Sequence, residues 1–153
     1  MVVEDFDDIR QMIALKLRSQ GYEVVEAANG LEALEAAKRR CPDLVVMDLS
    51  LPGLDGLSAV YRMRELEATC DVPVIACSAH DADIHLVAAR AVGCDEYLGK
   101  PVDLARLDEL ISRLLIERRE SGERRKRVIH QPMEADELTT YIDGLLRKNG
   151  GED

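Results

Sequence analysis

The chain has 153 residues, 46% of them hydrophobic and 3% aromatic, and a formal net charge of −10. This is enough apolar material for one ordinary domain with its own core plus an appendage, and it excludes disorder over the whole length. No apolar run approaches the roughly 18 residues needed to span a bilayer, and the opening MVVEDFDD has neither the basic head nor the apolar middle of a signal peptide.

In chain order, Met1-Val2-Val3 reads as a short apolar strand. Asp7 to Gln20 has helical spacing through Ile9, Met12, Ile13, Leu15 and Leu17, closed by Gly21 in the position of a C′ glycine. Tyr22 to Glu26 reads as a strand, and Asn29-Gly30 turns the chain into a helix from Leu31 to Arg40, stopped by Cys41-Pro42. Leu44 to Met47 is a continuous apolar run, the mark of a strand buried on both faces of a parallel sheet. Leu51-Pro52-Gly53 is loop chemistry, with a helix following to about Ala68. Val72 to Cys77 is the next buried strand, with Pro73 tolerated near its start. Ala82 to Val92 reads as a helix closed by Gly93, Glu96-Tyr97-Leu98 as a short strand, and Asp103 to about Arg119 as a helix with its apolar stripe at Leu104, Leu107, Leu110, Ile111, Leu114 and Leu115.

Five strands alternating with five helices predict a doubly wound α/β domain with a parallel sheet. Ligands in such sheets sit at the carboxyl ends of the strands, where the strand order reverses. Glu4-Asp5, Asp48, Ser78 and Lys100 all fall at or just after predicted strand ends. The fold therefore brings them to one rim.

Two carboxylates about 4 Å apart repel by roughly 4 kcal/mol at a protein-surface dielectric. A hard divalent cation with oxygen ligands offsets that cost, and Mg²⁺ suits one or two carboxylates plus waters and phosphate oxygens. Asp48 then serves as a nucleophile toward a phosphoryl group, Lys100 supplies a compact positive charge, and Ser78 offers a hydroxyl to a phosphoryl oxygen. The backbone carbonyl of Ser50, two residues beyond Asp48, is placed to face the same metal. Each part also has an ordinary reading. Acids after a first strand favour a helix N-terminus, as Asp7 and Asp8 do; Asp suits a solvated turn; and lysines are mostly solvated surface. It is the set, in this order and at these strand ends, that points to phosphate chemistry.

Residues 1–115 hold 21 acids and 12 bases, against nine and eight in 116–153. An acidic globular part argues against nonspecific binding to nucleic acid or membrane and suits a cation site and a basic partner surface, although solubility alone accounts for most of the excess. Cys41, Cys70, Cys77 and Cys94 show no CxxC spacing, and Cys77 lies inside an apolar run, where a small buried thiol is expected. A reduced, cytoplasmic setting follows.

The motifs resemble the receiver domains of bacterial two-component response regulators, in particular the stand-alone type, over Met1 to about Glu117. LVVMDLSLPGLDG places Asp48 at the phosphoacceptor position. VVED looks like the acidic metal pair, VIACSA places Ser78 at the switch hydroxyl, and EYLGKPV places Lys100 and Pro101 on the Lys-Pro element. The resemblance implies a flavodoxin-like sheet in the order 2-1-3-4-5 and Mg²⁺ held by Asp5, Asp48 and the Ser50 carbonyl, with Glu4 acting through water. It also implies a cis bond before Pro101, Tyr97 as an aromatic switch residue, and Ser50 and His80 as tuning positions for dephosphorylation; His80 reads equally as a plain loop histidine. A sensor histidine kinase or histidine phosphotransfer protein is the implied donor, and the surface of the fourth helix, fifth strand and fifth helix the implied output and homodimer face. Such a protein catalyses only its own phosphorylation and dephosphorylation.

Two departures stand out. The first strand is short, either in fact or because upstream residues are missing. After Glu117 only 36 residues remain, whereas a DNA-binding effector needs on the order of 60–100. Residues 118–132 read as a charged linker or an extension of the last receiver helix. Glu120–Arg124 and Glu123–Arg127 have i,i+4 spacing that supports a helix, Ser121-Gly122 weakens it, and Arg124 to Arg127 form a basic cluster. Residues 133–149 read as an amphipathic helix with Leu138, Tyr141, Ile142, Leu145 and Leu146 on one stripe, expected to dock on its own receiver, a twin chain or a kinase. Competing classes are a truncated DNA-binding regulator, a haloacid-dehalogenase-type phosphatase, which wants an acid where Ser50 stands, and a flavodoxin-like cofactor binder, which wants a hydroxyl- or glycine-rich phosphate loop where this chain has acids.

Overall fold

The computed structural model describes residues 1–79, 83–121 and 134–148. Its elements run β1 (Val2–Val3), α1 (Asp7–Ser19), β2 (Glu26–Ala27), α2 (Gly30–Arg39), β3 (Val45–Asp48), α3 (Gly56–Glu65), β4 (Val74–Ser78), α4 (Asp83–Val92), β5 (Glu96–Gly99), α5 (Leu104–Ser121) and α6 (Ala135–Lys148). The strands form one sheet in the order β2-β1-β3-β4-β5, and every pairing is parallel. This is the flavodoxin-like topology, with the order reversing between β1 and β3.

Side chains alternate across the strands and divide the core in two. Val45, Met47, Val74 and Ala76 join the layer under α2, α3 and α4, whereas Val46, Ile75 and Cys77 join the layer with Ile13 and Leu17 of α1 and Leu107, Leu110, Ile111 and Leu114 of α5. Lys16 and Asp108, 3.3 Å apart, tie α1 to α5 at the surface.

Three elements differ from their expected bounds, each for a local reason. Tyr22 to Val25 is not strand, because β1 is only two residues long and offers β2 two partners, Glu26 and Ala27; Tyr22 and Val25 are left exposed. The third helix ends at Glu65 rather than Ala68, since the Thr69 hydroxyl donates to the Met63 carbonyl at 2.7 Å and turns the chain back. β4 begins at Val74 because the Val72 N–H is spent on Thr69 and Pro73 has none to give.

α5 runs through Ser121, into the stretch expected as a charged linker or an extension of the last receiver helix. Glu120 lies in α5, whereas its partner Arg124, the Glu123–Arg127 pair and the rest of the basic cluster lie outside the described residues. α6 packs on α3 and α4 of its own receiver, with Leu138 and Ile142 buried in the first core layer. A docked α6 explains why α3 is buried almost all round, from Gly56 through Tyr61 to Met63 and Arg64: a helix without a solvent face needs cover on both sides.

Candidate functional site

The carboxyl ends of β1, β3, β4 and β5 share one edge of the sheet, with Asp48 in register with Cys77 and Ser78 with Gly99. Glu4, Asp5 and Asp48 each offer a carboxylate oxygen there, all within 4.8 Å of one another. Lys100 Nζ donates to Glu4 Oε2 at 2.7 Å and lies 2.9 Å from Asp48 Oδ2. The Ser50 N–H donates to Asp48 Oδ1 at 2.9 Å. Glu4 and Asp48 are almost fully buried. Asp5 Oδ1 is enclosed and has no hydrogen-bond partner among the described residues.

Burial pushes the Glu4 carboxyl up; hydrogen bonds from Lys100 and the Phe6 N–H pull it partly back, the Asp48 charge adds to the rise, and the net direction is up. Burial works against the Lys100 ammonium, yet its hydrogen bonds to Glu4 and Asp48 outweigh that and hold it above the usual lysine range. Cys77, beside the site, is pushed up by burial to about 12, so it is an inert packing thiol.

Of the other residues singled out in the sequence, Ser78 is fully buried and its carbonyl accepts the Lys100 N–H at 2.8 Å. Tyr97 is half-buried and packs against the core layer that holds α3 and α4. The Lys100–Pro101 peptide is cis. Glu4, expected one water away from the cation, stands in the same oxygen cluster as Asp5 and Asp48 and is gripped by Lys100. His80 lies outside the described residues.

Three supporting residues escaped the sequence reading. Arg10 donates to the Glu4 carbonyl at 2.8 Å and pairs with Asp7 and Glu26, pinning the loop that carries Glu4 and Asp5. An arginine in a first helical turn, where acids are favoured, was a legible anomaly. Gly56 packs so tightly that a Cβ would stand 2.1 Å from the Asp48 carbonyl oxygen; the second glycine of LPGLDG is therefore a close-approach glycine. Arg64, buried, donates to the carbonyls of Gly93 (2.8 Å) and Thr69 (3.1 Å), tying α3 to the turn before β5. Nothing in its spacing announced that role.

Together these features define an α/β receiver-like domain with an acid-lysine site at its topological switch point. Residues 1–112 match the response regulator receiver domain family, and the chain belongs to it. The chain is 37% identical over 115 residues to the transcriptional regulatory protein AfsQ1 of Streptomyces coelicolor, covering 75% of this chain and 50% of that protein. It thus spans about half the length of the curated relatives it matches. Among solved structures, a putative response regulator from Chloroflexus aurantiacus aligns with a TM-score of 0.72 at 33% identity, over 75% of this chain and 94% of that one. The receiver domain of sensor histidine kinase PA1611 from Pseudomonas aeruginosa PAO1, solved with a magnesium ion in its active-site cleft, aligns with a TM-score of 0.69 at 35% identity, over 74% and 93%.

Proposed function

We propose that this receiver accepts a phosphoryl group on Asp48 from a phosphohistidine of a sensor histidine kinase or histidine phosphotransfer protein, with Mg²⁺ at the site, in the cytoplasm. The observation that carries this reading is Asp5, which clusters with Glu4 and Asp48 while its enclosed Oδ1 has no partner among the described residues. Three carboxyl groups crowd against one lysine, Lys100, among the described residues, and a buried acceptor oxygen without a donor is costly unless an ion takes it. Asp5, Asp48 and the Ser50 carbonyl would hold the metal, with Glu4 through water; the all-oxygen donor set suits Mg²⁺. When bound, the ion neutralises charge on the transferred phosphoryl oxygens.

An Asp48 carboxylate oxygen attacks phosphorus; the O–P bond forms as the P–N bond breaks, and the donor imidazole leaves with the electron pair and takes up a proton. The Ser50 N–H fixes the orientation of the Asp48 carboxylate. Lys100, already against Asp48 Oδ2, follows the new negative charge, and the Ser78 hydroxyl donates to a phosphoryl oxygen. Phosphorylation adds about −1.5 to −2 charge; Tyr97 turns into the space Ser78 vacates, and the α4–β5–α5 face changes as a two-state output. Ser50 and His80 tune the lifetime of the acyl phosphate. The chain acts on no substrate other than itself.

Acetyl phosphate with Mg²⁺, followed by intact-mass analysis, tests this reading. The chain gains one phosphoryl group and Asp48→Ala gains none; a wild-type chain that stays unmodified would falsify the reading. A second reading, favoured by curated relatives named as transcriptional regulators, has the receiver controlling promoter binding. A phosphorylation-dependent gel shift separates the two.

A further inference from the structure

α6 is built into the fold rather than hung on it. Leu138 and Ile142 are 2% and 6% exposed and share a core layer with Tyr61 and Met63 of α3 and Ala88, Ala89 and Val92 of α4. The rings of Tyr61 and Tyr141 stand 6.4 Å apart, tilted by 54°, within the range of a favourable aromatic pair. Tyr141, Leu145 and Leu146 extend the contact as partly buried neighbours. Tyr97 of β5 packs against this same layer, and Ser78 closes the strand that leads into α4. One packed layer thus joins Tyr97, one of the residues proposed to sense phosphorylation, to α4 and the tail.

We infer that α6 is a state-dependent clamp on α4, seated while Lys100 grips Glu4 and Asp48 directly, and loosened when Asp48 carries a phosphoryl group. This rests on the receiver reading above and adds to it a partner for the tail, which is the α3–α4 face of its own chain. The reason is geometric. Packed interfaces have discrete arrangements and do not deform continuously, so a shift of α4 driven from Ser78 and Tyr97 disturbs the seats of Leu138 and Ile142. Linkage makes the effect reciprocal: whatever factor phosphorylation takes from α6 docking, α6 docking takes from phosphorylation.

The test uses the full chain with Mg²⁺ and beryllofluoride, an acyl-phosphate mimic, with adduct formation followed by ¹⁹F NMR. At saturation the amides of 135–148 exchange at least about fivefold faster, the lower end of ordinary coupling, while those of β3 and β4 do not. Ile142→Ala, and independently Tyr141→Ala in case the first fails to fold, lower the beryllofluoride concentration at half-saturation by a similar factor. If the adduct forms and neither the exchange nor the half-saturation changes, the clamp is overturned and the receiver reading stands. If no adduct forms on the wild-type chain, the receiver reading fails and takes the clamp with it.

Discussion

The acid-lysine rim and the α3–α4–α6 face use buried side chains in opposite ways. At the rim, Glu4 and Asp48 are almost fully buried beside Asp5, held among the described residues by Lys100 and the backbone N–H groups of Phe6 and Ser50. At the helical face, Leu138, Ile142, Tyr61 and Met63 are equally buried, but among apolar atoms. Desolvating charges costs stability unless partners compensate, whereas desolvating apolar surface is the main favourable term in folding. The difference teaches that this domain carries a destabilised site on a stabilising scaffold, and that the tail belongs to the scaffold.

The largest effect that can break this comparison lies on the helical face. Leu138→Ala deletes a side chain that is 2% exposed and is expected to cost about 2–5 kcal/mol, read from urea unfolding. A cost below about 0.5 kcal/mol would mean that α6 opens independently and contributes little to the scaffold.

At the rim a smaller effect of opposite sign is expected. The raised pKa of Glu4 means that the fold prefers its neutral form. Its charge therefore costs stability, increasingly so as pH rises above the ordinary value of 4.5 and through the folded value. Glu4→Gln raises the melting temperature at pH 7 in metal-free buffer, and the advantage shrinks toward pH 4. A lowered melting temperature at pH 7 would place Glu4 among the stabilising groups and erase the contrast.

The smallest effect sharpens the helical side. Burial pushes the Tyr61 phenol up, with the Glu65 charge adding to it. A group with a raised pKa contributes stability that is present below its ordinary value of 10.0 and is lost as pH rises through the folded value. Denaturant midpoints above pH 10 should fall more steeply for the wild-type chain than for Tyr61→Phe. Parallel slopes would show that the α3–α6 contact is not the alkali-sensitive region.

Much of the fold was legible because parallel strands buried on both faces leave uninterrupted apolar runs, as in Leu44 to Met47 and Val74 to Cys77, and because glycines at 21 and 93, both at positive φ, close their helices. The second strand was misplaced because its length is set by its neighbour in the sheet, which no local pattern encodes. Glu4, Asp5, Asp48 and Lys100 were legible from their places after strand ends; Arg10, Gly56 and Arg64 were not read, since their roles are contacts with distant backbone.

By itself the sequence determined the alternation of elements, the chemistry-bearing residues at four strand ends and an amphipathic tail in need of a partner, since these depend on local periodicity and on side-chain type. Only the tertiary structure decided that Asp5 joins Glu4 and Asp48 while one of its oxygens is buried with no donor among the described residues, that Lys100 spans two of the three acids, and that the apolar stripe of the tail is buried against α3 and α4 of its own chain. The physical reason is that enclosure, charge crowding and the choice of packing partner depend on distances between residues far apart in the chain.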